Sequence, residues 1–334
     1  MYNPELPLVE LHRHLDGNIR PQTIWELAQQ HNIALPVHSL DELIPLTQIQ
    51  TQTADLLAFL ARLDYGVSVL ADTDACYRVA YENMQDAKNQ GLDYVELRFS
   101  PFYMARAFKL NLQAVIEAVY AGVKAGEHDT GVKVQLIGIL SRTFGLQKCQ
   151  VELDALLACR DKIIALDLAG DELGFPATLF ESHFKLARDA GWHISVHAGE
   201  ADGPQSIWDA INLLGAERIG HGVAAIHDQP LMQYMAQHKI AIEACPTSNY
   251  HTATVTDTAN HPLKIFVEQG MCVTLSTDDP AVSNIDLAHE YNVAKQTIGL
   301  SDKQLNQIQL NALDAAFLSE NEKTVLRSLN RRTI

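Results

Sequence analysis

Titratable residues of this sequence gather in four short clusters that could together bind a metal ion and transfer protons. The clusters are His12-Arg13-His14-Leu15-Asp16, His197-Ala198-Gly199-Glu200, Ile219-Gly220-His221-Gly222 and Thr277-Asp278-Asp279-Pro280. Three imidazoles and one carboxylate suit zinc or a similar ion. A further carboxyl group beside such a cation can act as a general acid or base, and the metal can generate hydroxide at neutral pH. The clusters therefore predict metal-assisted hydrolysis.

The spacing within each cluster agrees with a shared site. His12 and His14 point to the same face if they lie on a strand, because side chains of a strand alternate. Glycines on both sides of His221 allow a sharp turn. Asp278 and Asp279 can serve one site only if their strand has ended, which Pro280 favours. Taken singly, the clusters also fit surface or core histidines, a solvated loop glutamate or a turn, so the prediction depends on their coincidence.

Eight short apolar runs alternate with helix-period segments and could position these clusters. The runs are Leu8–Leu11, Tyr94–Phe99, Val134–Leu140, Ile163–Leu168, His193–His197, Glu217–Gly220, Ile240–Glu243 and Val273–Ser276. The segments between them include Leu112–Ala125, Pro204–Leu214 and Leu231–Gln237. This alternation predicts an α/β fold with a parallel sheet, and eight strands predict a (β/α)8 TIM barrel. The clusters follow strands one, five, six and eight, at the face where such barrels carry their active sites.

The length of 334 residues fits either two ordinary domains or one barrel with long loops. Because no linker or repeat divides the chain, we expect one domain over residues 1–334. Residues 21–90 exceed one crossover helix and contain the stripe Leu56, Phe59, Leu60 and Leu63, which predicts either an extra packed helix or a lid. After Asp302 we expect one helical stripe of Leu310, Leu313, Phe317 and Leu318. His193 is expected in the core.

Charge and cysteine content narrow the class of protein. Lys plus Arg number 25 and Asp plus Glu 41, which gives a net charge of −16 and argues against nucleic-acid or anionic-membrane partners. The five cysteines have no C-x-x-C spacing, which favours reduced thiols. With no signal peptide or apolar span in the sequence, we expect a cytoplasmic protein, and no obligate protein partner is evident.

The sequence resembles the adenosine deaminase family of metal-dependent amidohydrolases. The matching segments occur in family order along nearly the whole chain. They are LHRHLDGNIRP at 11–21, YVELRFSP at 94–101, DLAGDE at 167–172, SVHAGE at 195–200, RIGHG at 218–222, CPTSN at 245–249 and STDDP at 276–280.

The resemblance implies a zinc-containing barrel that converts adenosine and 2′-deoxyadenosine to the inosine nucleosides and ammonia, in purine salvage. It also implies a role for each residue that matches a family motif. One Zn²⁺ would be held by His12, His14, His197 and Asp278. Water activated by the zinc would add to purine C6 while Glu200 protonates N1. His221 would orient that water or take its proton. Among the substrate contacts, Asp279 would bind N7, Gly170 the ring and Asp16 the ribose hydroxyl, with His14 beside the substrate.

Four alternatives remain open from the sequence. Adenine deaminases share the zinc and acid residues but typically carry H-L-E-G where this chain has His14-Leu15-Asp16-Gly17. AMP deaminases have a long N-terminal region that is missing here. A phosphoesterase on the same barrel would not need Glu200 together with His221, and a catalytically dead binding protein would not keep every residue of the constellation. The H-x-E and P-C-x-x-C motifs of nucleobase deaminases are absent, and no lysine occurs in Ile163–Leu168 to bridge two metals.

Overall fold

Eight parallel β-strands surround the centre of the fold in the computed structural model, which describes residues 2–328. Each strand pairs with the next along the chain, in the order β1 to β8. The strands are β1 Val9–His14, β2 Tyr94–Phe99, β3 Lys133–Ser141, β4 Ala165–Ala169, β5 His193–Ala198, β6 Arg218–His221, β7 Ala241–Ala244 and β8 Val273–Leu275. The ring closes where the backbone N–H of His14 donates to the carbonyl of Asp278 (2.8 Å). The predicted (β/α)8 barrel is therefore confirmed.

All eight predicted strands are present, β2 with the predicted bounds and the others with ends that differ by at most three residues. The largest difference is in β1, which continues to His14 instead of ending at Leu11. The apolar run stops at Leu11, but the strand does not, because His12, Arg13 and His14 are all buried and pair within the barrel. Both histidines of the first cluster thus lie on the strand itself.

Sixteen α-helices lie within residues 2–328. They are α1 Pro21–Gln30, α2 Leu40–Thr47, α3 Leu56–Val67, α4 Thr73–Asn89, α5 Pro101–Ala105, α6 Leu112–Thr130, α7 Leu146–Ala158, α8 Glu181–Asp189, α9 Pro204–Asp209, α10 Gln229–His238, α11 Pro246–His251, α12 Leu263–Glu268, α13 Pro280–Ser283, α14 Leu287–Gln296, α15 Asp302–Ala315 and α16 Glu320–Ser328. None of the helices in this described part of the chain has the length and apolar character needed to cross a bilayer.

The long segment between β1 and β2 contains four helices, α1 to α4, where the sequence suggested one extra helix or a lid. Side chains of Ser39, Asp55 and Asp72 begin α2, α3 and α4 by accepting hydrogen bonds from the third residue of each helix. Such caps satisfy N–H groups that have no partner inside the helix. Helix α4 packs closely on α6 at Gly122, which has no side chain. A Cβ at this position of α6 would lie 2.4 Å from the carbonyl oxygen of Tyr77 on α4.

Three expectations from the sequence are wrong in detail. The stripe predicted after Asp302 is broken, because α15 ends at Ala315 and Phe317 and Leu318 follow an extended residue, Ala316. The predicted helix Pro204–Leu214 is α9 followed by a π-helical turn over Ala210–Leu214. His193 is not a core residue: its side chain is 43% exposed at the start of β5 and pairs with Glu217.

The inside of the barrel contains paired charges as well as apolar side chains. Arg98 on β2 is fully buried and donates to Asp167 on β4 (2.8 Å) and Glu243 on β7 (2.7 Å). Arg218 on β6 lies 2.6 Å from the same Glu243. Buried charges of this kind are tolerated when they are paired and hydrogen-bonded. These carboxylates support the site above them.

Candidate metal centre and active site

The four titratable clusters meet at the C-terminal ends of the strands, around a cavity of about 280 Å³. This volume is of the scale of small-molecule sites. The cavity is lined by the predicted residues His14, Asp16, Gly170, His197, Glu200, His221, Asp278 and Asp279. His12, the remaining predicted residue, is fully buried at the base of the same cluster. The barrel therefore brings together every residue that the sequence singled out.

The donor atoms of His12, His14, His197 and Asp278 converge on one point. The Oδ1 atom of Asp278 lies 3.1 Å from Nε2 of His12 and 3.2 Å from Nε2 of His14. The Nε2 atoms of His14 and His197 are 3.1 Å apart. Ligands bonded to zinc at tetrahedral angles are about 3.3 Å from one another. Nitrogen and oxygen donors at this spacing fit a zinc-sized ion.

The second ring nitrogen of each of these histidines faces a carboxylate. Nδ1 of His12 lies 2.7 Å from Glu243, and Nδ1 of His197 lies 3.0 Å from Asp167. Nδ1 of His14 is 3.6 Å from Asp16. A carboxylate on the far nitrogen fixes the tautomer and leaves Nε2 free to bind a metal. The His12 and His197 rings are held in this way, whereas the His14 contact is longer than a hydrogen bond.

The charges of this second layer are stabilised by their own partners. Burial would raise the pKa of Asp167, but His197 and Arg98 hold it well below its usual range. Burial likewise opposes ionisation of Glu243, yet the two arginines Arg98 and Arg218 keep its pKa below the usual range. Both carboxylates are thus ionised and can accept hydrogen bonds from imidazole N–H groups.

A further imidazole, that of His221, lies close to the four donor atoms described above. His12, His197, His221 and Asp278 each offer one ligand atom, and these four atoms lie within 4.8 Å of one another. Nε2 of His221 is 3.8 Å from Asp278 Oδ2 and 3.6 Å from Glu200 Oε2, longer than the contacts of His14. Its Nδ1 lies 3.0 Å from the Asn249 amide, and burial lowers its pKa. A neutral imidazole between the metal donors and Glu200 suits proton transfer.

Glu200 lies on the loop after β5 with its side chain in the cavity wall. The carboxyl group is 6% exposed and accepts a hydrogen bond from the Thr252 hydroxyl (3.3 Å). Burial raises the pKa of Glu200 to about 8, and the negative charges of Asp278 and Glu172 act in the same direction. A carboxylic acid that keeps its proton at neutral pH is suited to protonating a base.

Asp278 and Asp279 both reach the site because β8 ends at Leu275. Asp278 has a left-handed backbone conformation with φ of +65°, which breaks the strand alternation. Its Oδ2 accepts from the Ser248 hydroxyl (2.7 Å) on α11. Burial and the neighbouring Asp278 raise the pKa of Asp279 well above its usual range. The sequence predicted that both aspartates could serve one site only if their strand ended before them, and β8 does end before them.

Two carboxylate oxygens in the cavity wall have no hydrogen-bond partner within residues 2–328, namely Asp16 Oδ1 and Asp279 Oδ1. The other oxygen of Asp16 accepts the backbone N–H of Ser100 (3.0 Å), which fixes the group. Buried polar atoms normally have partners. Both residues line the cavity, and Asp16 Oδ1 lies 3.6 Å from Nδ1 of His14. Gly170, with φ of +108°, comes so close to Thr143 that a Cβ would lie 2.4 Å from its hydroxyl.

One side of the cavity is apolar and comes from α3. Leu56, Leu57, Phe59, Leu60 and Leu63 all line it. Phe59 and Leu63 are buried in a cluster with Ile49 and Val282, whereas Leu57 is 53% exposed. The stripe seen in the sequence therefore both packs and faces the cavity.

Several supporting residues were not found from the sequence. They are Asp167 and Glu243, which orient the histidines, Glu172, Ser248 and Asn249. Glu243 did carry a signal, since a glutamate at the end of the apolar run Ile240–Glu243 has to find partners when it is buried. Ser248 and Asn249 lie in the segment CPTSN, which matched the family but to which the sequence analysis assigned no role.

Comparison with known proteins agrees with this geometry. The family model described as adenosine deaminase matches residues 7–331. An adenosine deaminase of Edwardsiella ictaluri is 60% identical over 327 residues, 98% of each chain. Among solved structures, an adenine deaminase of Arthrobacter aurescens superposes with a TM-score of 0.90 at 26% identity, covering 96% of this chain and 97% of the other. An arabidopsis ADAL complexed with IMP gives a TM-score of 0.84 at 25% identity, covering 97% and 96%.

Proposed function

Because the chain belongs to the adenosine deaminase family and is a hydrolytic deaminase of adenosine, we propose that its reaction uses one zinc ion at the cluster of histidines and Asp278. The products are inosine and ammonia. 2′-Deoxyadenosine is deaminated in the same way, which places the enzyme in purine salvage. The observation that supports this most directly is the convergence of four donor atoms beside the buried carboxyl group of Glu200.

The proposed zinc ligands are His12, His14, His197 and Asp278. Their donor spacing fits a tetrahedral ion, and the imidazoles of His12 and His197 each have a carboxylate on the other nitrogen. When bound, zinc would acidify water and so supply a nucleophile at neutral pH. We assign His221 to proton transfer and not to zinc binding, because its Nε2 lies between Asp278 and Glu200.

The protein residues orient the purine and move the protons. Glu200 donates its proton to N1, which makes C6 more electrophilic as water adds there. His221 holds and orients the attacking water and accepts its proton. The carboxyl group of Asp279 binds N7, and the backbone of Gly170 contacts the ring; both residues line the cavity. His221 then passes its proton to the 6-amino group, the C6 hydroxyl returns a proton to Glu200, and the tetrahedral carbon collapses to the carbonyl as ammonia leaves.

Asp16 supplies the preference for a nucleoside. Its side chain lines the cavity, where the carboxyl group can accept a hydrogen bond from the ribose 5′-hydroxyl. Adenine is the weaker alternative, because the free base would leave this carboxylate without a partner. The match to adenosine deaminases at about 60% identity, against 26% for the adenine deaminase structure, supports the same order.

The remaining proposals concern the whole chain. We propose that residues 1–334 form one hydrolase domain, since the strands from Val9 to Leu275 complete a single barrel and α15 packs on its last strand; Met1 and residues 329–334 lie outside the described part. The free cysteines agree with a reducing, cytoplasmic location. No nucleic-acid, membrane or obligate protein partner is proposed.

The test is a turnover assay with metal analysis of the same sample. We expect loss of the adenosine absorbance band, release of ammonia and about one zinc per chain. Adenine in place of adenosine should react far more slowly. Full activity in a preparation that contains no metal would refute the zinc proposal, and a preference for adenine would refute the nucleoside proposal.

A further inference from the structure

The carboxylate of Glu172 is surrounded by the backbone of the loop that carries Glu200. Glu172 lies on the loop after β4 and is 2% exposed. Its Oε1 accepts hydrogen bonds from Gly199 N (2.6 Å) and the Ser206 hydroxyl (2.5 Å). Its Oε2 accepts from three successive N–H groups. These are Glu200 N at 3.1 Å, Ala201 N at 2.7 Å and Asp202 N at 3.1 Å.

Four consecutive N–H groups thus converge on one carboxylate, and the second of them belongs to Glu200. Hydrogen bonds to an ionised acceptor are shorter and stronger than those between neutral groups. The loop 199–203 has no regular secondary structure of its own. Its N–H groups would otherwise have to be satisfied by water or remain without partners. Glu172 therefore determines the backbone path that takes Glu200 from the end of β5 into the cavity.

The start of this loop is fixed from a second side. Gly199 has φ of +67°, and a Cβ there would lie 2.5 Å from the side chain of Ile207. Its carbonyl oxygen accepts from Ala224 N (2.9 Å). Gly199 and Glu172 together leave Glu200 with little freedom in its backbone. A general acid must be placed to within about 0.5 Å of its productive position to be effective.

We propose that Glu172 is a positioning residue for the proton transfer, acting through the main chain of Glu200. Glu172 does not line the cavity and touches neither the proposed metal ligands' donor atoms nor the space for the purine. Its effect is to hold the acid at N1. The proposal rests on the proposed role of Glu200 as the proton donor.

The proposal is tested by Glu172→Gln, alone and together with Glu200→Gln. Glutamine has nearly the same shape as glutamate, but its amide nitrogen cannot accept from the N–H groups that one oxygen now binds. The substitution also removes a charge that helps to raise the pKa of Glu200, so kcat is compared well below pH 8, where the acid keeps its proton. We expect kcat to fall about tenfold, with KM changed less than about twofold and zinc still near one per chain. When Glu200→Gln is already present, adding Glu172→Gln should change kcat by less than about twofold, because the acid that it positions is gone.

A control is Asp93→Asn, just before β2. Asp93 also accepts a backbone N–H, from Leu8 (2.8 Å), just before β1. Neither residue lines the cavity in the described chain. Asp93→Asn should lower the melting temperature and leave kcat near native. This separates loss of stability from loss of positioning.

The possible outcomes are distinct. If Glu172→Gln leaves kcat unchanged, or multiplies its full effect with that of Glu200→Gln, the positioning role is wrong while the acid role of Glu200 stands. If Glu200→Gln itself keeps native kcat, the proposed acid is wrong and this inference fails with it. Should Glu172→Gln not fold, Glu172→Asp takes its place in the same pair of measurements, since it keeps the charge but is one methylene too short to reach all five donors.

Discussion

Asp278 contacts His12 twice, once through the backbone and once through the side chain. Its N–H donates to the carbonyl oxygen of His12 (3.1 Å), and its Oδ1 lies 3.1 Å from Nε2 of the same residue. The backbone contact therefore fixes the distance between His12 and Asp278, and the side-chain rotamers then bring their donor atoms together. Such a site pays little reorganisation on binding a metal.

The first prediction concerns the ligands. His197→Ala removes one of four donors, so the protein should lose both its zinc and its activity. Metal analysis and an adenosine assay on the same sample measure this. His193→Ala is the control, because His193 lies on the same strand β5 but is half-exposed at the other end. A His197→Ala protein with full zinc and a near-native rate would show that the ligand assignment is wrong.

The second prediction concerns the proton donor. Glu200→Gln should keep zinc and substrate affinity but lose about 10²–10⁴-fold in kcat, the usual contribution of general acid catalysis. The exposed Asp202, on the same loop, provides the control Asp202→Asn, which should keep kcat. Because burial raises the pKa of Glu200 to about 8, the native kcat should fall as pH rises through that value. A Glu200→Gln enzyme with native kcat and only a raised KM would refute the acid role.

The constellation was predictable because each of its residues follows a strand of a barrel. His12, His197, His221 and Asp278 stand at or just after the apolar runs of strands one, five, six and eight. The geometry of a parallel barrel places all such positions on one face. Local spacing was enough to predict the donors, and the resemblance gave each one its role.

The support of the site was not predictable from local spacing. Asp167 and Glu243 orient histidines that are 30 and 231 residues away in sequence. Nothing near either carboxylate in the chain indicates its partner, since the pairing depends on the register of distant strands. Two helix boundaries were missed for a related reason. The π-helical turn after Asp209 and the end of α15 at Ala315 depend on packing against distant parts of the chain.

The third prediction concerns substrate choice. A charge-assisted hydrogen bond from the ribose 5′-hydroxyl to the carboxyl group of Asp16 would be worth about 1.5–3 kcal/mol, whereas a 5′-phosphate there would be repelled. The values of kcat/KM should therefore rank adenosine and 2′-deoxyadenosine well above adenine, and adenine well above AMP. Asp16→Asn should narrow the gap between adenosine and AMP. Efficient turnover of AMP by the native enzyme would contradict the nucleoside assignment.

The fourth prediction concerns the apolar wall formed by α3. Phe59→Ala should raise KM if α3 closes over the nucleoside, but Phe59 is also 1% exposed in a packed cluster, so its loss creates a cavity as well. Leu57 lines the same wall and is 53% exposed. Leu57→Ala should raise KM severalfold with a melting temperature within about 2 °C of native. An unchanged KM in both variants, with large destabilisation in Phe59→Ala, would leave α3 only a packing role.

The fifth prediction concerns Glu290 on α14 and the pH dependence of stability. Burial raises the pKa of Glu290 to about 8. One of its oxygens accepts from Thr247 N (3.1 Å), and the other has no hydrogen-bond partner in the described chain. Its unfolded pKa is about 4.3, so folding favours the protonated form. The stability from this group is complete below that value and is lost as pH rises through about 8.

Glu290→Gln mimics the protonated group at every pH. Its melting temperature should therefore rise relative to the native protein by several degrees between about pH 5 and about pH 8.5. Thermal unfolding of both proteins across this range measures the difference. Glu42→Gln, on an exposed helix start, should show no such trend. A constant difference across the range would mean that Glu290 is ionised in the folded protein.

The closure of the barrel also orders events during synthesis. His12 leaves the ribosome early, but Asp278 follows 266 residues later, and neither strand β1 nor the metal donors can be completed before β8 has emerged. A nascent chain that stops short of Asp278 lacks one of the four proposed donors and the backbone contact that closes the barrel at β1. The proposed metal site can therefore be complete only after β8 has emerged, because binding needs all of its ligands in place.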